Sequence, residues 1–497
     1  MFRIVRWIVV LFLFLLLASA AEASSLRDSG NSTKDSISHP QEIEASQILT
    51  EIEANQAVSY DNVSVSGNLD LSTLTGPVRQ SVTITNSIIL GSANFERVTF
   101  GDLMDFQGTT FKGNASFAKA RFQGDANFGG VRFSGNTDFR FARFDSAVSF
   151  SLARFEGVVS FANSQFDGNA VFEGSNFDTD AKFDLVQFSR PVTFMGAVFS
   201  GDASITNSQF SGTTIFMDSS FKGDADFAGT QFVRDVIFRS SHFYGGSSFG
   251  LAGFGGFADF ANVTFENAAF FAVAKFDDNA HFLDAKFNKD LVLESARIYN
   301  MQLDNATFGK NSTISLKDAD FTRLVVPWST IRDRLEFNGA AYLALVKNYK
   351  NLEWFNDADD CYYEYRQISQ ANEPLGWAKL ADVIAWLSCG YGVRVSYTAF
   401  WCIFTPLFFG VVFWAGNGMK GFEQIGQRIP GRTKGIQKQR VSLIDAMYFS
   451  VAQFNSAQGP VNRYPVGFYR HLAMLEIILG WFFMMLFVVI LVGIFIR

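Results

Sequence analysis

Phenylalanine recurs through the middle of this chain at alternating steps of five and six residues. From Phe95 the positions are 95, 100, 106, 111, 117, 122, 128 and 133, and the alternation runs without a slip to Phe287. Thirty-six positions obey it, and all but Ile205 are Phe. Rings at a fixed pitch over almost two hundred residues require a backbone that itself repeats. The unit is 11 residues or a multiple of it. Positions 113, 135, 157, 179, 201, 223 and 245 read Gly, Gly, Gly, Thr, Gly, Gly, Gly, whereas the column 11 residues further on is mixed, so one coil has about 22 residues and four sides. The position two before each Phe is Ala, Ser, Thr or Val in every case but Met104. Residues i−2 and i share one side of an extended segment, so each side sends one small and one large side chain inward. Pairs such as Gly113-Asn114, Gly201-Asp202 and Gly223-Asp224 suit corners with unusual backbone angles.

The stretch FQGDANFGGVRF at Phe122 to Phe133 resembles the pentapeptide-repeat family in its Phe-centred variant. The resemblance implies a right-handed, four-sided parallel β-solenoid. At about 4.8 Å per coil, nine to ten coils would give a rod of about 45 Å. The reading assigns the solenoid to residues 95–308 and a cap region to residues 24–94. The ladder of Asn114, Asn136, Asp180, Asp202 and Asp224 has two readings, a calcium-binding row or solvated corner residues.

Composition narrows function by exclusion. With 41 basic and 48 acidic residues the formal charge is −7, which argues against a nucleic-acid partner. Three Cys form no disulfide framework, and four scattered His offer no zinc or His-based catalytic cluster. No catalytic constellation, metal site or cofactor is expected, and the chain reads as something other than an enzyme.

The two ends are apolar. Residues 1–23 read as a signal peptide, with Arg3 and Arg6, an apolar run from Trp7 to Leu17, and small-x-small sites near Ala20 and Ala23; an uncleaved anchor is the alternative. Six N-x-Ser/Thr sequons, at Asn31, Asn62, Asn114, Asn262, Asn305 and Asn311, suit an extracytoplasmic placement. Thr398 to Ala415 and His471 to Ile496 are long enough to cross a bilayer, so a multi-pass cell-membrane protein with its solenoid outside is expected. Residues 309–396 form a helical connector. Tyr342, Leu345, Val346, Tyr349 and Leu352 recur at helical spacing, Asn356-Asp357 offers a cap for a second helix, and Trp377 to Leu387 is amphipathic. The connector reads equally as a spacer or as a lever.

Residues 397–497 run span, short apolar helix, polar loop, span. This order resembles the two-span pore module of potassium-channel-like proteins. Asp445, Tyr448, Phe449 and Ser450 fall in the pore-helix stretch DAMYFSVAQF, Ser456, Ala457, Gln458, Gly459 and Pro460 fall where a filter would be, and Gly480 matches a gating hinge. The filter departs from the family's Thr-Val-Gly-Tyr-Gly run, and Pro460 removes an N–H, so potassium selectivity does not follow. Solenoid, DADDCYYEYR, CGYGVR and pore module together resemble the pentapeptide-repeat ion channel proteins of methanogenic archaea. That implies a homo-oligomer, tetrameric if a channel, with the lipid bilayer and an unidentified extracytoplasmic ligand or surface protein as partners. The alternative is a membrane-anchored scaffold or adhesion rod with a non-conducting pore relic. The inter-span loop carries Lys420, Arg428, Arg432, Lys434, Lys438, Arg440, Arg463 and Arg470 against Glu423 and Asp445, a positive-inside pattern that inverts the pore loop relative to potassium channels.

Overall fold

Buried rings and paired short strands build a parallel β-solenoid of about 13 coils of about 22 residues. The computed structural model describes residues 40–421, 441–457 and 463–495; the signal-peptide reading at residues 1–23 lies outside them. In the middle of the solenoid each coil contributes four two-residue strands, each paired with its equivalent one coil on; near the C-terminal end two of the four merge into one longer strand, as in Lys275–His281 and Arg297–Gln302. The four columns are exemplified by Phe111 with Phe133, Ala115 with Thr137, Phe122 with Phe144, and Ala126 with Val148. Backbone donors reach across coils, as from Ala115 to Asn136 at 3.0 Å and from Phe117 to Asp138 at 2.7 Å.

The rings form the core. Every Phe of the ladder is buried. Phe117, Phe139, Phe161 and Phe183 lie in one stack, with centroids 4.7, 4.8 and 4.8 Å apart and nearly parallel planes. Neighbouring stacks meet edge to face, as Phe117 meets Phe128 at 5.4 Å and 83°. Such pairs add about 1 kcal/mol each beyond the area they bury. Where the small inward residue is Ser or Thr, its hydroxyl often serves a buried carbonyl of the previous coil: Ser219 donates to Phe194 at 2.7 Å and Thr109 to Ile84 at 2.6 Å.

Two expectations change. The solenoid has more coils than the nine to ten read from its rings, because coiling begins before Phe95 and runs beyond Phe308. In residues 58–94 the inward positions are Val58, Val63, Val65, Leu69, Val82, Ile84 and Ile89, so the apolar column continues without aromatics. The final strand, Asp320–Val325, pairs with Arg297–Gln302. The corners also differ from the expectation. The unusual angles lie in the five-residue steps, where Phe117 accepts from Ala120 at 3.0 Å and Lys119 between them has φ +59°. That is the signature of a type II turn. Gly113, Gly201 and Gly223 have no positive φ. A Cβ on Gly223 would sit 2.5 Å from the Gly201 carbonyl oxygen, so these glycines permit close stacking of one corner on the next.

Both ends of the apolar column are covered. Helix α1 (Ala45–Glu53) buries Ile48 and Ile52 at one end. At the other lie α2 (Trp328–Ile331), α3 (Gly339–Asn351) and α4 (Phe355–Asn372). Asn338 caps α3 by accepting from Ala341. Asn356 and Asp357 fall inside the first turn of α4, not before it. Asp357 instead accepts from the Trp328 N–H at 3.2 Å. The outer edge of the last strand would expose unpaired backbone groups. Asn348 on α3 closes it, accepting from Leu324 N–H at 2.9 Å and donating to Leu324 O at 2.8 Å.

Candidate functional site

Beyond α4 the chain continues through α5 (Trp377–Cys389) and a tight Gly390–Gly392 turn into α6 (Val395–Ala415). Then come α7 (Leu443–Phe454) and α8 (Tyr469–Phe495). Helices α6 and α8 are long and apolar enough to cross a membrane, whereas the 12 residues of α7 are too few.

The start of α7 follows local rules. Ser442 accepts from the Asp445 N–H at 3.1 Å, and Asp445 in the first turn favours the helix dipole. Arg463 binds Asp445 at 3.1 Å across the loop, beside an antiparallel pairing of Met419–Gly421 with Arg463–Pro465. Phe449 and Ser450 are buried, Phe449 edge-on to Phe413 of α6 at 5.5 Å, while Tyr448 faces outward. At the other end, Ser456 adopts φ +51°, its N–H bonds Gln453 O at 2.9 Å, and the Ala457 N–H bonds Ala452 O at 2.8 Å. Ser456 and Ala457 thus close the helix C-terminus. Gln458, Gly459 and Pro460 lie outside the described residues, as do residues 422–440 with most of the basic loop. Gly480 is a contact position: a Cβ there would lie 2.1 Å from the Phe454 carbonyl oxygen, so α8 touches the end of α7 only because Gly480 has no side chain.

Among the described residues of this bundle, one acidic group is fully buried. Glu476 on α8 is fully buried and meets the Ser450 hydroxyl of α7, which also lies 2.7 Å from the Pro406 carbonyl oxygen of α6. The lone acid in the second span is its sequence signal, since an ionisable residue within an apolar span is rarely there by chance. Its partners were not legible, because Ser450 and Pro406 are 26 and 44 residues from the groups they meet.

The connector is tied to the start of α6 by a polar and aromatic knot. Arg394 binds Asp360 at 2.6 Å, and its guanidinium lies 4.7 Å from the centre of the Tyr363 ring. The Tyr363 hydroxyl meets that of Tyr397 at 3.1 Å and accepts from Trp386 Nε1 at 2.9 Å. Arg366 pairs with Asp382 and lies over Tyr391, while Trp401 Nε1 donates to Leu387 O at 2.7 Å. Burial pushes the Asp357 and Glu364 carboxyls up, and it does the same to Tyr342, Tyr349 and the Cys361 thiol.

On the solenoid, the residues of the Asn/Asp ladder, Asn114, Asn136, Asp180, Asp202 and Asp224, are exposed at one corner, as the solvated-corner reading expects, and they also tie coil to coil. Each side-chain oxygen accepts a backbone N–H of the next coil: Asn114 from Asn136 at 2.9 Å, Asp202 from Asp224 at 2.9 Å, Asp224 from Gly246 at 2.8 Å. A neighbouring face carries Arg121 and Arg143, both within 2.7 Å of Asp145. Burial pushes the Asp145 carboxyl up, and these two guanidiniums outweigh it and hold it below the usual range.

A family model described as pentapeptide repeats matches residues 95–143, 142–186, 183–231 and 205–253, with nine copies. Residues 95–253 are pentapeptide repeats. The match and the geometry agree, since these residues form the ring-stacked part of the β-solenoid. No curated protein and no solved structure matches the chain.

Proposed function

We propose that this chain is an integral membrane protein in which a pentapeptide-repeat solenoid is joined to a potassium-channel-like pore module, assembled as a tetramer that conducts cations with little selectivity. The four strand columns are read as the sides of a right-handed, four-sided rod standing outside the cytoplasm. The observation that carries the reading is the placement of α7. It is apolar, Ser-capped and too short to cross a membrane, yet it is packed between two helices long enough to do so. A short helix at that depth must be shielded by protein, as in a re-entrant pore loop. Selectivity would then belong to the stretch Ser456 to Pro460, and the knot around Arg394 would transmit a tilt of the rod to α6. The inverted orientation follows from the basic inter-span loop. The reading also places the chain outside catalysis.

A second reading is a surface scaffold or adhesion rod on a non-conducting pore relic. The contact between Gly480 and the Phe454 carbonyl favours it, because it locks α8 where a hinge would need freedom. Purified full chain in liposomes separates the two. Monovalent cation flux that changes when residues 456–460 are replaced supports the channel. Liposomes that pass no monovalent ion, with or without voltage, support the scaffold.

A further inference from the structure

The contacts of Ser450 ask more of its hydroxyl than one hydrogen supplies. Its hydroxyl oxygen lies 2.7 Å from the Pro406 carbonyl oxygen and within hydrogen-bond reach of Glu476 Oε1. A serine hydroxyl has one hydrogen, and a carbonyl oxygen only accepts. If Ser450 donates to Pro406, the contact with Glu476 has a hydrogen only when the carboxyl supplies it. If Ser450 donates to an ionised Glu476, two oxygens are left 2.7 Å apart with nothing between them. We infer that Glu476 is a neutral carboxylic acid donating to Ser450, and that Glu476, Ser450 and Pro406 form a proton-binding site joining α8, α7 and α6.

The surroundings agree. Glu476 has no exposed surface, and its Oε2 meets no hydrogen-bond partner among the described residues. On the elements packed against it, the titratable groups are Tyr397 and Cys402 of α6, Asp445 and Tyr448 of α7, and Tyr469, Arg470 and His471 of α8. None is a hydrogen-bond or ion-pair partner of Glu476; Asp445 is engaged by Arg463, and Tyr448 faces outward. The flanking positions on α8 are Ala473, in the apolar cluster with Phe409, Phe413 and Phe449, and Gly480, against α7. An anion there would have no cation to compensate it among the described residues. When the acid releases its proton to water, Ser450 has one hydrogen for two acceptors. Either the tie from α7 to α6 or the tie from α7 to α8 is then lost. The site is thus a proton-controlled latch on the short helix, and it rests on helix packing whether or not the bundle conducts.

Infrared spectroscopy of the full chain in lipid nanodiscs at neutral pH tests this. The expected result is a protonated-carboxyl C=O band that disappears in Glu476→Gln, whose amide can still donate to Ser450. Ser450→Ala removes the acceptor and is expected to move the same band to higher frequency, so it decides the matter where Glu476→Gln does not fold. A wild-type spectrum without such a band, or a band unmoved by either substitution, would overturn the assignment.

Discussion

At the scale of single residues, the stacked rings and the corner glycines do different work. Phe161 is buried between Phe139 and Phe183, both 4.8 Å away. Phe161→Ala is expected to cost about 3–5 kcal/mol, read by denaturant unfolding, because the neighbouring coils cannot close the gap without breaking their own pairing. Gly223→Ala places a Cβ 2.5 Å from the Gly201 carbonyl oxygen and is expected to destabilise measurably. Gly246→Ala, whose nearest atom would be 3.4 Å away, is its control, expected to cost less than half as much. The rings were legible because burial demands them at fixed pitch. The turn positions were not. Gly130 and Asn163 at positive φ are ordinary choices, but Phe141, Leu152 and Val273 hold the same conformation against their own preference. There the coil dictates the backbone and the residue yields, so composition at the corner says little. The valines and isoleucines of residues 58–94 hid extra coils for the opposite reason: they suit the interior but carry no aromatic signature.

At the scale of elements, closing the solenoid matters as much as building it. Asn348→Leu is expected to leave the Leu324 N–H and C=O buried and unpaired, costing about 3 kcal/mol by thermal or chemical unfolding. Cys361 is buried in the same helical pair and its thiol is pushed up by burial, so alkylation at neutral pH is expected only after the connector unfolds; mass spectrometry of alkylated peptides reads this directly. The connector and the solenoid face should also respond oppositely to pH. Asp357 and Glu364 are pushed up on folding, so their contribution is greatest in acid and is lost as pH rises through their folded values. Asp145 is held down, so its contribution is present at neutral pH and is lost as pH falls through its folded value. Hydrogen exchange is expected to slow in α3 and α4 relative to the solenoid face as pH falls toward the ordinary carboxylate range, after correction for intrinsic rates. Helices were readable from apolar periodicity, as at Tyr342, Leu345 and Tyr349, but their caps were not: Asn338 and Ser442 cap α3 and α7, and the Asn356-Asp357 pair falls inside α4. Asn348 was not readable as an edge cap, because its partner strand is 24 residues away and a polar residue on an apolar helix face gives no hint of what it meets.

At the scale of the whole molecule, the chain couples a column of paired strands to helices that suit a bilayer. The column's rigidity follows from four rows of strand pairing and stacked rings in every coil of its middle, so bending it would break several contacts at once. The knot of Arg394, Asp360, Tyr363 and Tyr397 joins that column, through α4, to the first apolar helix. Arg394→Ala is expected to leave the column's unfolding unchanged while raising hydrogen exchange in α5 and the start of α6, because it removes both the ion pair and the ring contact. The measurement that bears most directly on the whole account is cryo-electron microscopy of the full chain in lipid nanodiscs. The account expects about 13 coils standing clear of the disc, at about 4.8 Å per coil, with α6 and α8 crossing it and α7 held between them. A map with α6 and α8 folded in water against the solenoid, or with the ladder rings turned to solvent, would contradict it.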